Sequence, residues 1–521
     1  HYVLRVSFDH TKRTVFGDTT VRLKPLADNF REAELDAAAL KFTSVTLDGS
    51  DTPLKYRTAS NKVIVTLDRA YTPADEIALR FKYTAQPKKG VYFVNEKAEG
   101  GRRIHSRQIW TQGEPDEAHH WFPNFDFPSD KATTEQIITV QKGMTVIGNG
   151  HLLSVKQNDD GTVTSHFKMD IPHPTYLVSF VVGEYVRLED KYRDIPLGYY
   201  MYPGTESVAA RAYGKTKQML EVFEQLTRVD YPFNKYDQTI VANFQFGGME
   251  NITATTMSDN DIFYANVDFL RGNVEDLVAH EIAHSWFGNN VTMKNWAELW
   301  LNEGFATFLE AAVREKLNSR ADYLRKIEND AQNYFADAAT NRRQFGLFNE
   351  TAGNVNTLFD RPAITYNKGG AVVHQLREQM GDEAFWKGLN FYLTRHRFGS
   401  VETTDLIKAL EDSSGQKLQW FFDQWVYGTG HPALTVKHRY NAAEKSLEIT
   451  VSQTQRSDRL TPEAFRLPIE IAIRANGETR IEKIDITKRS ETFRIATASE
   501  PEAITLDPSQ KIVLKTLKMT S

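Results

Sequence analysis

The stretch His280-Glu281-Ile282-Ala283-His284, inside the segment Asn273 to Leu309, determines how the rest of the chain is interpreted. On an α-helix, residues four positions apart share one face, with Cβ atoms about 5–6 Å apart. Two imidazoles at this spacing can both reach one metal ion at about 2.0–2.1 Å. Glu281 projects to a different side and can act as a base on a metal-bound water. The spacing therefore predicts a metal site with an adjacent base.

A second segment offers a third donor. Glu303 lies in an apolar periodic pattern that predicts a helix from Ala297 to Lys316. A carboxylate in such a stripe is rarely buried without a partner, and a metal ion would be one. Two histidines and one carboxylate leave a coordination position open, as in catalytic zinc sites. With Glu281 as general base, the motif is typical of zinc metallopeptidases.

Composition narrows the class of protein. The 521 residues suffice for about two to four domains, and 40% apolar residues support sizeable cores. A net charge of −5 and a pI of about 6.3 argue against nucleic acid as a partner. Apolar runs stay shorter than the about eighteen residues of a membrane helix, so we expect no membrane span. Cysteine is absent, which excludes disulfides and thiolate metal sites.

The compartment and the assembly are less constrained. The chain begins at His1 and not at methionine, so we expect that it has been trimmed. The composition is compatible with a cytoplasmic location and with a periplasmic or secreted one after removal of a signal peptide. We expect a monomer.

The hydrophobic period changes twice along the chain. Residues 1–190 contain short alternating or β-branched runs, with Asp160-Gly161 as a hairpin signal, and predict a β domain. Helical periodicity dominates residues 191–432. Strand patterns return in residues 433–521, with Asn476-Gly477 as a turn. The pattern predicts a multidomain α+β protein that ends in a small β-sandwich.

Several residues have roles that the pattern alone leaves open. The irregular stretch from Thr111 to Pro128 contains Glu114, and such loops can line binding sites. Its pair His119-His120 is interpreted as surface residues or a satisfied core pair. Gly247-Gly248 can let another backbone approach closely or form a simple turn. Glu310 could orient a metal-bound histidine or be a solvated carboxylate.

Taken together, these motifs resemble the aminopeptidase N family of zinc aminopeptidases, the gluzincin type. The resemblance covers most of residues 1–435, and the ordered set of motifs is far more specific than any one of them. The motifs are Thr111-Gln112-Gly113-Glu114-Pro115, Phe122-Pro123, Gly247-Gly248-Met249-Glu250-Asn251, His280-Glu281-Ile282-Ala283-His284, Asn302-Glu303-Gly304-Phe305-Ala306 and Tyr366-Asn367-Lys368-Gly369-Gly370.

The resemblance implies a fold and a reaction. The fold would comprise an N-terminal β domain, a thermolysin-like α/β catalytic domain and a C-terminal β-sandwich. The reaction would remove the N-terminal residue from peptides with a free N-terminus. One zinc ion would be held by His280, His284 and Glu303. Glu281 would be the general base, and Tyr366 would stabilise the oxyanion.

The resemblance also implies a set of substrate-binding residues. Glu250 would bind the free amine with help from Glu114, and Gln112 would border the pocket for the first side chain. The two glycines of the third motif would meet the substrate backbone. The full set is Gln112, Glu114, Gly247, Gly248, Met249 and Glu250.

The chain departs from the family pattern close to these residues. Gly248 stands where the family usually has alanine, and Ile252 stands where an aromatic residue is common. Asn124 and Phe127 replace a usual cysteine and glutamate. These changes leave the zinc chemistry intact but leave the substrate preference open. Many members carry a large helical C-terminal domain, whereas this sequence ends near the predicted sandwich, so we expect a more open active site.

Three other functions share some of these features. A zinc endopeptidase would use the same metal site, and a preference for free over acylated N-termini would exclude it. An epoxide hydrolase of the leukotriene-hydrolase branch shares the motifs. The expected absence of the helical C-terminal domain argues against it, although the peptidase chemistry of that branch would still fit. A binding or scaffold protein on this fold would be expected to have lost metal ligands, whereas this sequence has all of them.

Overall fold

The computed structural model describes residues 1–341 and 345–520, which form a mixed α+β architecture. Strands dominate the N-terminal region and helices dominate the region of the two histidines, as the change of period predicted. The chain divides into two compact units. The first unit comprises His1–Glu221, Asp230–Asn295 and Arg397–Ser400, and the second comprises Val222–Val229, Trp296–His396 and Val401–Ser521.

The helices follow the apolar periodicity of the sequence. The helix predicted from Ala297 to Lys316 begins at Trp300 and ends at Leu317. A short 3-10 turn, Trp296–Glu298, precedes it. The helices of the described residues are α1 (Glu206–Tyr213), α2 (Thr216–Thr227), α3 (Asp259–Phe263), α4 (Arg271–Ala283), α5 (Trp300–Leu317), α6 (Arg320–Thr340), α7 (Gly369–Met380), α8 (Asp382–Arg395), α9 (Thr403–Ser414) and α10 (Gln419–Phe422), with π-helical segments at Ala363–Lys368 and Asp423–Tyr427.

The N-terminal strands belong to the first unit. They are β1 (Tyr2–Asp9), β2 (Thr14–Leu23), β3 (Phe30–Asp36), β4 (Lys41–Leu47), β5 (Lys55–Ala59), β6 (Lys62–Tyr71), β7 (Ile77–Ala85), β8 (Val91–Val94), β9 (Lys97–Glu99), β10 (Arg102–His105), β11 (Gln108–Thr111), β12 (Ala132–Gln141), β13 (Thr145–Gly148), β14 (His151–Gln157), β15 (Thr162–His173) and β16 (Phe180–Gly183).

These strands build a layered β structure. A seven-stranded sheet has the order β14-β15-β12-β1-β2-β7-β4, and a four-stranded sheet has the order β13-β16-β11-β8. Alternating side chains of both sheets form one buried core that includes Leu4, Phe81 and Phe180. Asp160-Gly161 joins β14 to β15, which confirms the predicted hairpin.

A second sheet system of the first unit positions the site. Its strands are β17 (Val186–Tyr192), β18 (Ile195–Met201), β19 (Tyr236–Val241), β20 (Gly248–Met249) and β21 (Ala254–Ser258), with the order β17-β18-β19-β21-β20. The three strands β18, β19 and β21 are parallel and fully or largely buried. The short β20 runs antiparallel to β21 and places Gly248 at the edge of the sheet.

The second unit contains an aromatic helical core. Phe308 of α5 lies 5.7 Å from Phe385 and 6.0 Å from Trp386, measured between ring centroids.

The remaining strands of the described residues are β22 (Thr292–Met293), β23 (Ser400–Val401), β24 (Ala433–Asn441), β25 (Ser446–Gln453), β26 (Leu467–Ala475), β27 (Glu478–Ile486), β28 (Ser490–Ala496), β29 (Ala503–Leu506) and β30 (Thr516–Thr520). Two further sheets have the orders β28-β25-β24-β30 and β27-β26-β29.

Within residues 1–341 and 345–520, every helix is too short or too polar to cross a bilayer.

Candidate active site

Helix α4 presents the two histidines on one face. The regular helix ends at Ala283, but His284 keeps helical dihedrals of φ −58° and ψ −21°, so the turn continues through it. The imidazole centroids of His280 and His284 lie 4.7 Å apart, and both rings are buried. One ring nitrogen from each lies within 4.8 Å of one from the other. This is the proximity that a shared metal ion requires.

The protonation of His284 fits a role as a metal ligand. Its Nδ1 lies 2.9 Å from the carbonyl oxygen of Phe287. Because a carbonyl can only accept a hydrogen bond, Nδ1 carries the proton and Nε2 keeps its lone pair. A backbone acceptor of this kind fixes the ring of a zinc-binding histidine. The donor chemistry of the site therefore fits zinc, which binds neutral imidazole.

Glu281 is buried against the edge strand β20. A Cβ atom added to Gly248 would lie 2.5 Å from Glu281 Cδ and 2.7 Å from its Cγ. A Cβ atom added to the neighbouring Gly247 would lie 3.0 Å from Cδ1 of Leu277, which is one turn before Glu281 on α4. The glycine pair thus allows α4 to approach the strand closely. Burial, and to a smaller extent the charge of Glu281, raises the pKa of the Tyr236 phenol well above its usual value.

This packing predicts different outcomes for the two glycines. In Gly248→Ala, the Glu281 carboxylate has to move by about 1 Å, and a misplacement of that size can cost up to about 10²-fold in rate. We expect kcat to fall about tenfold, because a flexible glutamate can partly readjust, with little change in KM. Gly247→Ala is the matched control, since the new methyl group meets Leu277. Steady-state kinetics of both variants test this, and equal losses of kcat would contradict it.

The predicted substrate-binding residues of the first unit also converge. A carboxylate oxygen of Glu250 lies within 4.8 Å of one of Glu114, and both side chains are buried. Glu250 Oε1 lies 3.9 Å from Nδ1 of His284. Gln112 Nε2 donates to the sulfur of Met249 at 3.2 Å. The acidic pair and the contact between Gln112 and Met249 are both buried.

The second unit holds Glu303 and Tyr366. Glu303 lies in the first turn of α5 and is 2% exposed, whereas Tyr366 is half-buried in the π-helix Ala363–Lys368. The glycines of their motifs bring the two segments together. A Cβ on Gly304 would lie 3.2 Å from the backbone of Gly369, and one on Gly370 would lie 2.9 Å from a methyl group of Thr307. Because these contacts leave no room for side chains, α5 and α7 pack at backbone distance.

Two residues of the site were not identified from the sequence. Phe287 acts through its backbone carbonyl on His284, and Asn289 donates from Nδ2 to the carbonyl of Glu250 at 2.8 Å. Both lie just after α4, where the chain turns through Gly288 at φ 136°. The only signal for them is their position directly after the histidine motif, since backbone carbonyl contacts leave no side-chain pattern.

The structure shows partners for Glu310 and His119, two residues whose roles the sequence left open. Glu310 is largely buried and lies 2.9 Å from Lys326 Nζ, so it is not a solvated carboxylate. His119 Nδ1 lies 2.8 Å from Asp126 Oδ2 in the buried core of the first unit. Burial opposes a charge on His119, but the hydrogen bond to Asp126 raises its pKa above the usual value. His119 is therefore a satisfied core residue.

Comparison with known families agrees with this geometry. The description "Peptidase M1 N-terminal domain" matches residues 1–177, and "Peptidase family M1 domain" matches residues 211–425. The chain belongs to the M1 peptidase family. The resemblance inferred from the motifs is confirmed.

Relatives of this M1 chain are named as aminopeptidases. Aminopeptidase N of Streptomyces lividans is 31% identical over 437 residues, which make up 79% of this chain and 48% of that protein. Aminopeptidase 2 of Candida albicans is 28% identical over 466 residues, or 87% of this chain and 49% of that protein. Probable aminopeptidase 2 of Sulfurisphaera tokodaii is 27% identical over 510 residues, which make up 97% of this chain and 60% of that protein. The M1 chain thus spans about half the length of the curated relatives it matches.

Proposed function

We propose that this M1 chain is a zinc aminopeptidase that removes the N-terminal residue from peptides with a free amine. The observation that carries the proposal is the buried cluster of Glu250, Glu281 and His284, whose donor atoms all lie within 4.8 Å of one another. This convergence supports the proposal that Glu250 binds the amine, that Glu281 is the general base and that His284 is a metal ligand. Polar groups with distinct chemical roles that converge in this way are typical of an active site.

One zinc ion would be held by His280, His284 and Glu303. Helix α4 carries the two imidazoles, and α5 carries the buried carboxylate. Family membership and the chemistry of these three donors support the assignment. When bound, zinc supplies a Lewis acid that lowers the pKa of water towards about 7 and polarises the scissile carbonyl.

The protein groups carry out the proton transfers. The Glu281 carboxylate takes a proton from the water that attacks the scissile carbonyl carbon, and it then delivers this proton to the leaving amine. The hydroxyl of Tyr366 donates a hydrogen bond to the oxygen that becomes negative, and loss of one such donor typically costs about 10²–10³-fold in rate. Close packing of Glu281 against Gly248 limits where the base can lie during both transfers.

The acidic pair would restrict cleavage to the first peptide bond. Glu250 and Glu114 together offer carboxylate oxygens within 4.8 Å of each other, which suits the three N–H donors of an ammonium group. An N-terminal amine held there has a fixed distance to the scissile carbonyl. Gln112 and Met249, which contact each other, would border the space for the first side chain, and Gly247 and Gly248 would lie along the substrate backbone.

A substrate panel tests the proposed function. We expect hydrolysis of aminoacyl-p-nitroanilides, loss of that activity with a chelator, and its return with added zinc. N-acetylated versions of the same compounds are the matched control for a free amine. Equal turnover of both sets would indicate an endopeptidase-type site, and no turnover of either by the zinc-loaded chain would contradict the proposal.

Glu250→Gln tests the amine anchor. The substitution keeps the size of the side chain but removes the charge that pairs with the ammonium. Since charge-assisted hydrogen bonds are about twice as strong as neutral ones, we expect kcat/KM on free-amine substrates to fall at least about tenfold. Residual turnover of N-acetylated substrates should be unchanged. Equal losses on both substrate types would count against this role.

The finer architecture is part of the same proposal. We infer a β domain at residues 1–190, a thermolysin-like catalytic domain at 191–432 and a β-sandwich at 433–521. In support, the sheets built from β1 to β16 use strands of that region alone, and those built from β24 to β30 do likewise. The mixed sheet β17–β21, followed by α4 and α5, supports the catalytic assignment. Limited proteolysis with mass spectrometry of the fragments would test the boundaries.

A further inference from the structure

Tyr366 lies in an unusual backbone segment of the second unit. The π-helix Ala363–Lys368 leads directly into α7. Turns with i→i+5 hydrogen bonds are rare and occur frequently at functional sites. Tyr366 is half-buried, and contacts made by its neighbours in the chain hold the backbone that carries it.

One face of α6 contacts the segment 361–368, which contains this π-helix, at three points. Asp330, Tyr334 and Asp337 are spaced four and three positions apart, so they lie along one side of the helix. We call this set the α6 stripe. Each member contacts a different residue around Tyr366, two of them through carboxylates and one through an aromatic ring.

The outer two contacts are hydrogen bonds from the segment to carboxylates. Arg361 Nε donates to the two carboxylate oxygens of Asp337 at 2.9 and 3.0 Å, and a second guanidinium nitrogen also contacts Asp337. Asn367 Nδ2 donates to Asp330 Oδ1 at 2.9 Å. Tyr366 is thus bracketed by an anchored residue on each side. Such charge-assisted bonds carry directional information as well as energy.

The middle contact involves a buried cation. Lys368 is 1% exposed, and its Nζ lies 5.8 Å from the ring centroid of Tyr334. The same ammonium donates to the carbonyl of Gly428 at 3.4 Å. Burial lowers the pKa of Lys368 to about 7. Lys368 is therefore a buried contact between the segment and α6.

The stripe itself is tied to α5. Lys326, one turn before Asp330, lies 2.8 Å from Asp330 and 2.9 Å from Glu310. Because Glu310 belongs to α5, this lysine fixes the register of α6 against the helix that carries Glu303. Its lysine and asparagine partners restrict the rotamers of the buried Asp330 carboxylate.

We propose that the α6 stripe is a positioning element that fixes the hydroxyl of Tyr366 for the hydrolytic step. The inference rests on the proposed role of Tyr366 and adds Asp330, Tyr334 and Asp337 to the residues that set the rate. These residues act through the backbone of the segment 361–368. They are positioning residues and not catalytic ones.

A double-mutant cycle with Tyr366→Phe tests the proposal. We expect Asp337→Asn and Asp330→Leu each to lower kcat about tenfold, within the about 10²-fold that a 1 Å misplacement can cost, with KM changed less than twofold. In the Tyr366→Phe background the same substitutions should lower kcat less than twofold, because their effect passes through the missing hydroxyl. Asp330→Asn keeps an acceptor for Asn367 and should restore most of the activity lost in Asp330→Leu.

Hydrogen exchange gives a readout that does not depend on turnover. We expect faster amide exchange in residues 361–368 of Asp337→Asn and Asp330→Leu, with unchanged exchange in α5. Glu328→Gln, on the exposed side of α6, is the matched control and should change neither kcat nor the rate of amide exchange in residues 361–368. Full additivity in the cycle, or unchanged exchange in the segment, would overturn the proposal. If Tyr366→Phe alone leaves kcat unchanged, the proposed role of Tyr366 fails, whereas the exchange result still shows whether the stripe holds the segment.

Discussion

Replacing Glu281 with glutamine is expected to lower kcat by about 10²–10⁴-fold, the range that positioned general bases contribute. Glutamine fills nearly the same volume next to Gly248 but cannot accept a proton at neutral pH. The two histidines on α4 keep their positions, because Glu281 projects to a different side of the helix. Zinc content and KM should therefore stay close to the values of the unchanged chain.

Stopped-flow or steady-state kinetics measure kcat and KM, metal analysis measures the zinc content per chain, and thermal unfolding checks that the variant is folded. Glu275→Gln is a matched control on the same helix, since Glu275 pairs with Lys215 at 2.7 Å and has no place in the proposed chemistry. It should retain nearly full kcat. Substantial turnover in Glu281→Gln with one zinc per chain would exclude Glu281 as the base. Loss of zinc in this variant would instead make Glu281 a ligand.

The local part of the candidate site could be predicted from the sequence because helix geometry is nearly invariant. The four-residue spacing of His280 and His284 places both rings together whatever the surrounding fold, and the structure does so at 4.7 Å. The apolar stripe around Glu303 likewise predicted burial of that carboxylate, which is 2% exposed. Periodicity also predicted the strand-rich N-terminal region and the helical region that follows it.

The remaining features depend on contacts between distant segments. Gly248 and Glu281 are 33 positions apart in the chain, so their mutual packing has no local signal. The pattern left Glu310 open between two roles, and its actual neighbour Lys326 lies on the next helix. The α6 stripe has the spacing of an ordinary buried helix face. Nothing in that spacing identifies Arg361 or Asn367 as its partners.

Glu303→Gln is expected to reduce zinc affinity by more than the about 10–100-fold that loss of an outer-shell partner costs. A neutral amide is a poor ligand for zinc, whereas the two imidazoles of α4 remain. Turnover should fall in parallel with zinc occupancy, and excess zinc should restore part of it. Titration of the apo chain with zinc, followed by calorimetry and by activity in the same samples, measures both quantities.

Glu310→Gln is the control for this experiment, because it changes a carboxylate on the same helix that pairs with Lys326. It should keep one tightly bound zinc per chain. Unchanged zinc affinity in Glu303→Gln would contradict the assignment of the third ligand. The nearby carboxylates Glu250 and Glu281 would then be the alternatives, since both lie within 4.8 Å of a donor atom of His284. If Glu250 or Glu281 were a zinc ligand, it could not also serve as the amine anchor or the general base. A parallel loss of zinc and activity in Glu303→Gln is therefore the result that agrees with all three proposed roles.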